Sequence, residues 1–211
     1  MSPVPVQPEV SVGTARCLEA AGALEHRHLT ILLAMMDEVQ SYFMHDLEGG
    51  IAAHAEHPEA WAYVGMNVEW ALAQLSFVRG CFPATAAPSF IDCGAGLGFV
   101  AMLARGLGFR PGGIELCSRY VALAERLFPW AQTFEGNVLT YPHYADHDVI
   151  FYYGPFKDEG LQARFEHKVE AEAKPGAIII ANRKVSEEWR SSSQFRLLKE
   201  DGVGSWIFQK C

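Results

Sequence analysis

Residues 90–115 read FIDCGAGLGFVAMLARGLGFRPGGIE and combine a glycine-rich loop with two acidic residues. Apolar residues ending at Asp92 are typical of a strand, three glycines at alternate positions follow, and a helical pattern comes next. A second short strand then ends at Glu115, 23 residues after Asp92. Glycines let a loop approach a ligand closely because no Cβ intervenes, and the following helix directs unpaired N–H groups at that loop. The stretch therefore predicts a nucleotide site at the edge of a parallel sheet.

The spacing of the glycines separates two nucleotide-binding patterns. The dinucleotide fingerprint G-x-G-x-x-G/A needs a small residue at its sixth position, which counted from Gly94 is Phe99. A side chain of that size would push the helix off the sheet. The remaining pattern, D-x-G-x-G-x-G at residues 92–98, is the first motif of class I S-adenosylmethionine-dependent methyltransferases, and the chain resembles that family.

The resemblance implies a site for S-adenosyl-L-methionine, with S-adenosyl-L-homocysteine as product. The loop backbone would hold the amino-acid end of the cofactor, Glu115 the ribose hydroxyls, and Leu116 the adenine face. Asn137 follows the third strand and is either a partner for the edge of adenine or an ordinary turn residue. The residues implied to bind the cofactor are Tyr63, Asp92, Gly94, Ala95, Gly96, Gly98, Glu115, Leu116, Asn137, Val138 and Gly154.

The fourth strand points to the acceptor side of the site. It ends at Tyr153 and is followed by Gly154, Pro155 and Phe156. Because strand ends at this edge face the ligand crevice, Tyr153 and Phe156 are the candidate catalytic residues beside the transferred methyl group. DNA and RNA amino-methyltransferases of this class carry Asn/Asp-Pro-Pro-aromatic here, and this chain lacks the polar residue. The sequence therefore predicts an acceptor other than a nucleic acid.

A closer resemblance is to the small protein-lysine methyltransferases that modify the c-subunit of ATP synthase, and to their bacterial relatives. It spans about residues 63–190 and rests on residues 63–64, the glycine motif, and residues 153–155 and 174–176. Gly65 and Met66 replace a Pro-Ser/Thr pair of that family. This resemblance implies an amine acceptor, a protein lysine.

Two alternatives to the protein-lysine hypothesis stay open. The first is a small-molecule N- or O-methyltransferase, for which His143 or His147, flanking the fourth strand, could be a general base. The second is a non-catalytic domain that binds S-adenosylmethionine or a nucleotide, which a crevice blocked by Trp61 or Phe156 would favour. The eight histidines have no convincing ligand spacing, so no metal site is predicted.

The chain divides near residue 85, and its charge is uneven. We expect a disordered tail at 1–13, a helical segment at 14–85 that caps the crevice, and a methyltransferase domain at 86–211. Residues 1–85 hold 3 Lys and Arg against 10 Asp and Glu, whereas residues 86–211 hold 14 against 15. An acidic cap would favour a cationic, amine-bearing substrate and argues against nucleic acid.

The patterns beyond residue 86 predict an α/β fold. Alternating strands and helices indicate a parallel sheet with helices on its faces, and residues 194–210 predict a closing antiparallel hairpin, as in the seven-stranded methyltransferase sheet. Helices are also predicted at 28–47 and 59–79, the second opened by Pro58. The predicted strands are near 89–93, 112–116, 131–135, 147–153 and 176–182, and the predicted helices near 97–107, 118–128 and 157–173.

The remaining sequence features concern the cellular compartment of the protein. The five cysteines include no C-x-x-C pair and predict reduced thiols. The first ten residues are proline-rich and lack the basic start and apolar centre of a signal peptide. No apolar run approaches the ~18–20 residues of a membrane span. We therefore expect a cytoplasmic protein, and the sequence predicts no oligomeric state.

Overall fold

The computed structural model describes residues 33–36, 38–39, 58, 61, 63–202 and 204–211. Seven strands and four helices make up the main elements of this part of the chain. The strands are β1 (Ser89–Cys93), β2 (Arg110–Glu115), β3 (Gln132–Glu135), β4 (Val149–Tyr153), β5 (Ile178–Asn182), β6 (Phe195–Glu200) and β7 (Ser205–Lys210). The helices are α1 (Val68–Arg79), α2 (Phe99–Gly106), α3 (Ser118–Leu127) and α4 (Glu159–Glu172).

The strands form one sheet in the order β3-β2-β1-β4-β5-β7-β6. The first five strands pair in parallel, and β7 pairs antiparallel with both β5 and β6. This confirms the predicted seven-stranded sheet with a C-terminal antiparallel hairpin. The strand order reverses at β1, which lies between β2 and β4, so the crevice for a ligand opens at their carboxyl ends.

The central strands are mostly apolar because helices cover both faces of the sheet. All five residues of β5, from Ile178 to Asn182, are buried. Buried strands of a parallel sheet lose the alternation of polar and apolar residues for this reason. One core cluster joins the sheet to α1 and α2, and a second joins its other face to α4.

Helix α1 starts later than the sequence predicts. It begins at Val68, not near residue 59, because the Asn67 side chain caps it by accepting from the Trp70 N–H at 2.8 Å. Residues 61 and 63–67 are not helical and run along the crevice, so the predicted helical position of Tyr63 is wrong. The predicted end at Gly80 is confirmed.

Polar contacts hold α1 against the end of β5 and against the turn between β6 and β7. The buried amides of Gln74 and Asn182 exchange hydrogen bonds of 2.8 and 3.1 Å. Trp70 Nε1 donates to Asp201 Oδ2 at 2.8 Å, and the Trp70 ring meets Tyr153 edge-on. Residues 63–79 are therefore held beside the crevice.

Several expectations lie partly or wholly outside the described residues. These include the tail at 1–13 and most of the helix at 28–47, of which residues 33–36 and 38–39 are helical. The acidic residues assigned to the cap also lie largely outside this part of the chain. Between β3 and β4, the chain forms only a short 3-10 turn at Tyr144–Asp146.

Within the described residues, no helix has both the length and the apolar character that a membrane span requires.

Candidate functional site

A cleft that is partly open to solvent lies at the carboxyl ends of β1, β2 and β4. It brings together all but one of the predicted site residues. Those lining it are Tyr63, Asp92, Gly94, Ala95, Gly96, Glu115, Leu116, Asn137, Val138, Tyr153, Gly154 and Phe156.

The exception is Gly98, which is itself described but does not line the cleft. It is the N-cap of α2 with φ 81°, and a Cβ on it would lie 3.2 Å from the Phe128 ring. The structure thus places this glycine where the loop joins the helix, against α3.

Glu115 ties the glycine loop to the end of β2. Its Oε2 accepts from the Gly96 N–H at 2.8 Å, and its Oε1 accepts from the Cys117 N–H at 2.9 Å. The N–H groups of Gly94 and Ala95 both donate to the Ile114 carbonyl at 2.9 Å. Glu115 is half-buried. A carboxylate oxygen can accept more than one hydrogen bond.

The Tyr63 ring lies directly against Gly96. A Cβ built on Gly96 would be 2.7 Å from Tyr63 Cε2, and the loop has φ +53° there. Tyr63 also packs edge-on against Tyr120, with ring centroids 5.6 Å apart. Burial, followed by the charge of Asp92, raises the pKa of Tyr63 well above its usual value, so its hydroxyl stays protonated.

Asp92 is a buried acid at the end of β1, with only 3% of its surface exposed. Burial, followed by the nearby charge of Glu115, raises the pKa of Asp92 to about 8. Within the described chain, no donor is hydrogen-bonded to its carboxyl group. A positively charged ligand group would stabilise the ionised form, so this side of the cleft suits a cation.

The Asn137 side chain forms a turn and also lines the cleft. Its Oδ1 accepts from the Leu139 N–H at 2.8 Å, so the amide oxygen already has a hydrogen-bond partner within the turn. The amide nitrogen keeps two donors for a ligand. Both interpretations of Asn137 therefore remain compatible with its position.

One end of the cleft is lined by the aromatic residues Trp61, Tyr153 and Phe156, and Arg183 lies beside it, outside the lining. Trp61 Nε1 donates to the Phe156 carbonyl at 2.9 Å. The Arg183 guanidinium carbon lies 4.7 Å from the Trp61 ring centroid and 5.6 Å from that of Tyr153. Sequence reasoning missed Arg183, although a charged residue directly after the buried strand β5 was a signal for this edge of the sheet.

A buried polar network supports the two loops at the acceptor end. Gln162 accepts from the Phe156 N–H at 3.2 Å and donates to Glu166 at 2.8 Å. Glu166 in turn accepts from Lys184 Nζ at 3.1 Å and from the Ser186 N–H at 2.8 Å. Two residues of α4 thus hold the loops that follow β4 and β5. Sequence reasoning missed this network.

The histidines considered as general bases lie elsewhere. His147 Nε2 is 2.8 Å from the Tyr141 hydroxyl, and burial lowers the pKa of His147. His143 lies 3.3 Å from Asp146. No histidine is among the described residues that line the cleft. No three His, Cys, Asp or Glu side chains cluster as a metal site within the described ranges.

Comparison with known proteins identifies the fold. A protein from Pyrococcus horikoshii classed provisionally as an RNA methyltransferase superposes with a TM-score of 0.51 at 14% identity, covering 69% of this chain and 85% of that one. This chain has the class I methyltransferase fold. The order of its seven strands and the position of the glycine loop belong to that fold. No protein-family model matches the chain, and no curated protein does.

Two further structures share the class I methyltransferase fold at lower similarity. An RNA methyltransferase from Salinibacter ruber in complex with S-adenosyl-L-homocysteine has a TM-score of 0.47 at 16% identity, with 68% of this chain and 88% of that one covered. CalS10, a SAM-bound amino pentose methyltransferase from Micromonospora echinaspora, has a TM-score of 0.47 at 19% identity, with 63% and 59% covered.

Proposed function

We propose that this protein is an S-adenosyl-L-methionine-dependent methyltransferase that transfers a methyl group to an amine. The observation that carries the proposal is one cleft with the acidic glycine loop at one end and an aromatic lining at the other. The fold supports it, since methyltransferases with bound S-adenosylmethionine or its product share this architecture.

The residues of the cleft fit this cofactor. A glycine cradle, a buried acid without a donor among the described residues and a carboxylate at the tip of β2 match an ammonium group and a ribose. Asp92 would balance the cofactor's positive charge, Glu115 would accept from ribose hydroxyls, and Leu116 and Val138 would flank adenine. When bound, S-adenosylmethionine supplies a methyl group already activated on a sulfonium.

The lining of the acceptor end favours nitrogen over oxygen. A neutral amine attacks with its own lone pair, whereas a hydroxyl acceptor usually needs a general base. The described lining offers no histidine, and Tyr153 and Phe156 present aromatic surface instead. An apolar wall disfavours the ammonium form, which helps the amine to lose its proton before attack. Tyr153 and Phe156 would also hold the acceptor in line.

Two acceptor classes follow from this proposal. The protein-lysine hypothesis rests on the sequence resemblance, whereas a small-molecule amine is favoured by the Arg183 guanidinium at the Trp61 ring, which would repel a lysine side chain. Trp61 and Phe156 line the cleft without closing it, which speaks against a purely non-catalytic domain. An acceptor other than a nucleobase stays a prediction.

The first test measures binding of S-adenosylhomocysteine by calorimetry. We expect micromolar affinity, weakened by roughly 1–3 kcal/mol in Glu115→Gln because a carboxylate acceptor is lost. Glu135→Gln is the matched control, since Glu135 is the register partner of Glu115 on β3 but is exposed and outside the cleft lining. Binding of NADH without S-adenosylhomocysteine would contradict the proposal.

The second test looks for the acceptor itself. The protein is incubated with methyl-labelled S-adenosylmethionine and with protein and small-molecule fractions of a lysate. We expect label to enter an amine, and Glu115→Gln to lower the rate. Transfer only to hydroxyl groups would rule out the amine acceptor while leaving the cofactor assignment intact.

A further inference from the structure

Arg183 has an unusual backbone at the mouth of the cleft. It follows β5 directly and has φ 54°, the one positive φ of a non-glycine residue in the described part of the chain. A side chain is strained in this conformation, and such strain clusters at ligand-binding sites. This backbone conformation determines how the Arg183 side chain leaves the end of β5.

The neighbouring loop is shaped to accept Arg183. Gly154 has φ 46°, and a Cβ on it would lie 2.8 Å from Arg183 Cβ, so only glycine fits there. Glu166 bonds the Val185 and Ser186 N–H groups at 3.0 and 2.8 Å and so holds the chain just after Arg183. The guanidinium then rests against Trp61.

Among the described residues, no carboxylate lies within 4.0 Å of the Arg183 guanidinium, so none of them neutralises its charge. Arg190 makes an instructive contrast, because it also lies over two aromatic rings but pairs with Glu200 at 3.6 Å.

We propose that the methyl acceptor is a small amine that carries an oxyanion, a carboxylate or a phosphate, and that Arg183 binds this oxyanion. The inference rests on the proposed methyltransferase function and names the substrate class of that site. The guanidinium beside the Trp61 indole has a planar fork of N–H donors, which matches either oxyanion in bidentate geometry. The anchored anion would fix the acceptor while its nitrogen lies at Tyr153 and Phe156.

The test uses four aromatic probes of similar size on protein saturated with S-adenosylhomocysteine. Benzoate and phenyl phosphate carry oxyanions, benzylamine is cationic and benzyl alcohol is neutral. Ligand-observed NMR gives each dissociation constant. We expect one of the anions to bind at least about tenfold more tightly than the other two classes, and more weakly as salt is added. The tighter anion identifies the oxyanion.

Variants then assign the anion to Arg183. Arg183→Gln should lose at least about tenfold in anion affinity, and the matched control Arg190→Gln should lose nothing. Arg183→Gly removes the same guanidinium but accepts the positive φ, so it should fold at least as well and also lose anion binding. Affinity for S-adenosylhomocysteine should not change in either variant.

Three results would overturn the inference: benzylamine binding more tightly than both anions, no measurable binding of either anion, or unchanged anion affinity in both Arg183 variants. Loss of S-adenosylhomocysteine binding in Arg183→Gln would also overturn it, since the guanidinium would then hold the cofactor. If the wild-type protein binds no S-adenosylhomocysteine, the proposed function itself fails, and the two failures are thereby distinguished.

Discussion

At the scale of single residues, Gly96 shows how the site depends on the absence of a side chain. Its φ of +53° disfavours any L side chain, and its missing Cβ leaves room for the Tyr63 ring. Its N–H is meanwhile bonded to Glu115. We expected a side chain here to strike the cofactor or the turn itself, and the structure adds Tyr63 as the first obstacle.

Gly96→Ala should therefore abolish S-adenosylhomocysteine binding and destabilise the fold, because the new Cβ must displace Tyr63 and strain the loop. Gly176→Ala is the matched control, since Gly176 also has a positive φ, of +85°, but nothing lies within 4 Å of its Cβ direction. The control should lose about 1–3 kcal/mol of stability from the backbone alone and still bind. Calorimetry and urea unfolding measure both quantities. Equal binding by the two variants would contradict this account.

At the scale of elements, helix α4 holds the loops of the acceptor end through buried charges. Glu166 and Lys184 have fully buried side chains, and Lys184 also contacts Glu170 at 2.6 Å. A buried charge without an opposite charge beside it is costly. The stability of this region therefore depends on each buried charge keeping its partner. Burial raises the pKa of Glu170, although Lys184 opposes the shift.

Lys184→Met should lower the free energy of unfolding by roughly 3–5 kcal/mol, because Glu166 and Glu170 lose their buried cation. Lys168→Met, which removes an i,i+4 pair with Glu172 on the outside of the same helix, should cost less than about 1 kcal/mol. Urea unfolding of the two variants gives the comparison. A similar loss in both would mean that the buried network adds nothing beyond a surface pair.

At the scale of the whole molecule, Asp92 couples folding to pH. Its folded pKa of about 8 lies above the ordinary value of 3.8. Between these values the folded protein binds a proton that the unfolded chain releases, so this group makes the protein less stable as pH rises through that window. A cationic ligand bound beside Asp92 would instead favour the ionised form of its carboxyl group.

Without ligand, the free energy of unfolding should therefore fall from pH 5.5 to 8, and Asp92→Asn should flatten the slope. Asp148→Asn is the control: burial raises the pKa of Asp148, but bonds from Lys174 and Ser89 outweigh it and lower that pKa, so its effect lies below pH 4. Urea unfolding across the pH range measures the slopes. A slope unchanged by Asp92→Asn would show that Asp92 stays ionised in the fold.

The sequence by itself determined the sheet and the loop. Local patterns encode both: apolar strands alternate with helices, a hairpin closes the chain, and glycines at alternate positions between Asp92 and Glu115 fix a loop. These features depend on backbone conformation and on burial of neighbouring residues, which a few adjacent positions reveal.

Only the tertiary structure decided how distant residues meet in the cleft. Tyr63 lies on Gly96, and Arg183 lies between Trp61 and Tyr153, because sheet register and the docking of α1 bring together segments that are distant in the sequence. The raised pKa of Asp92 has the same origin. Burial and contact across such separations leave no local pattern in the chain, so the sequence predicted most of the residues that line the cleft and missed the arginine beside it.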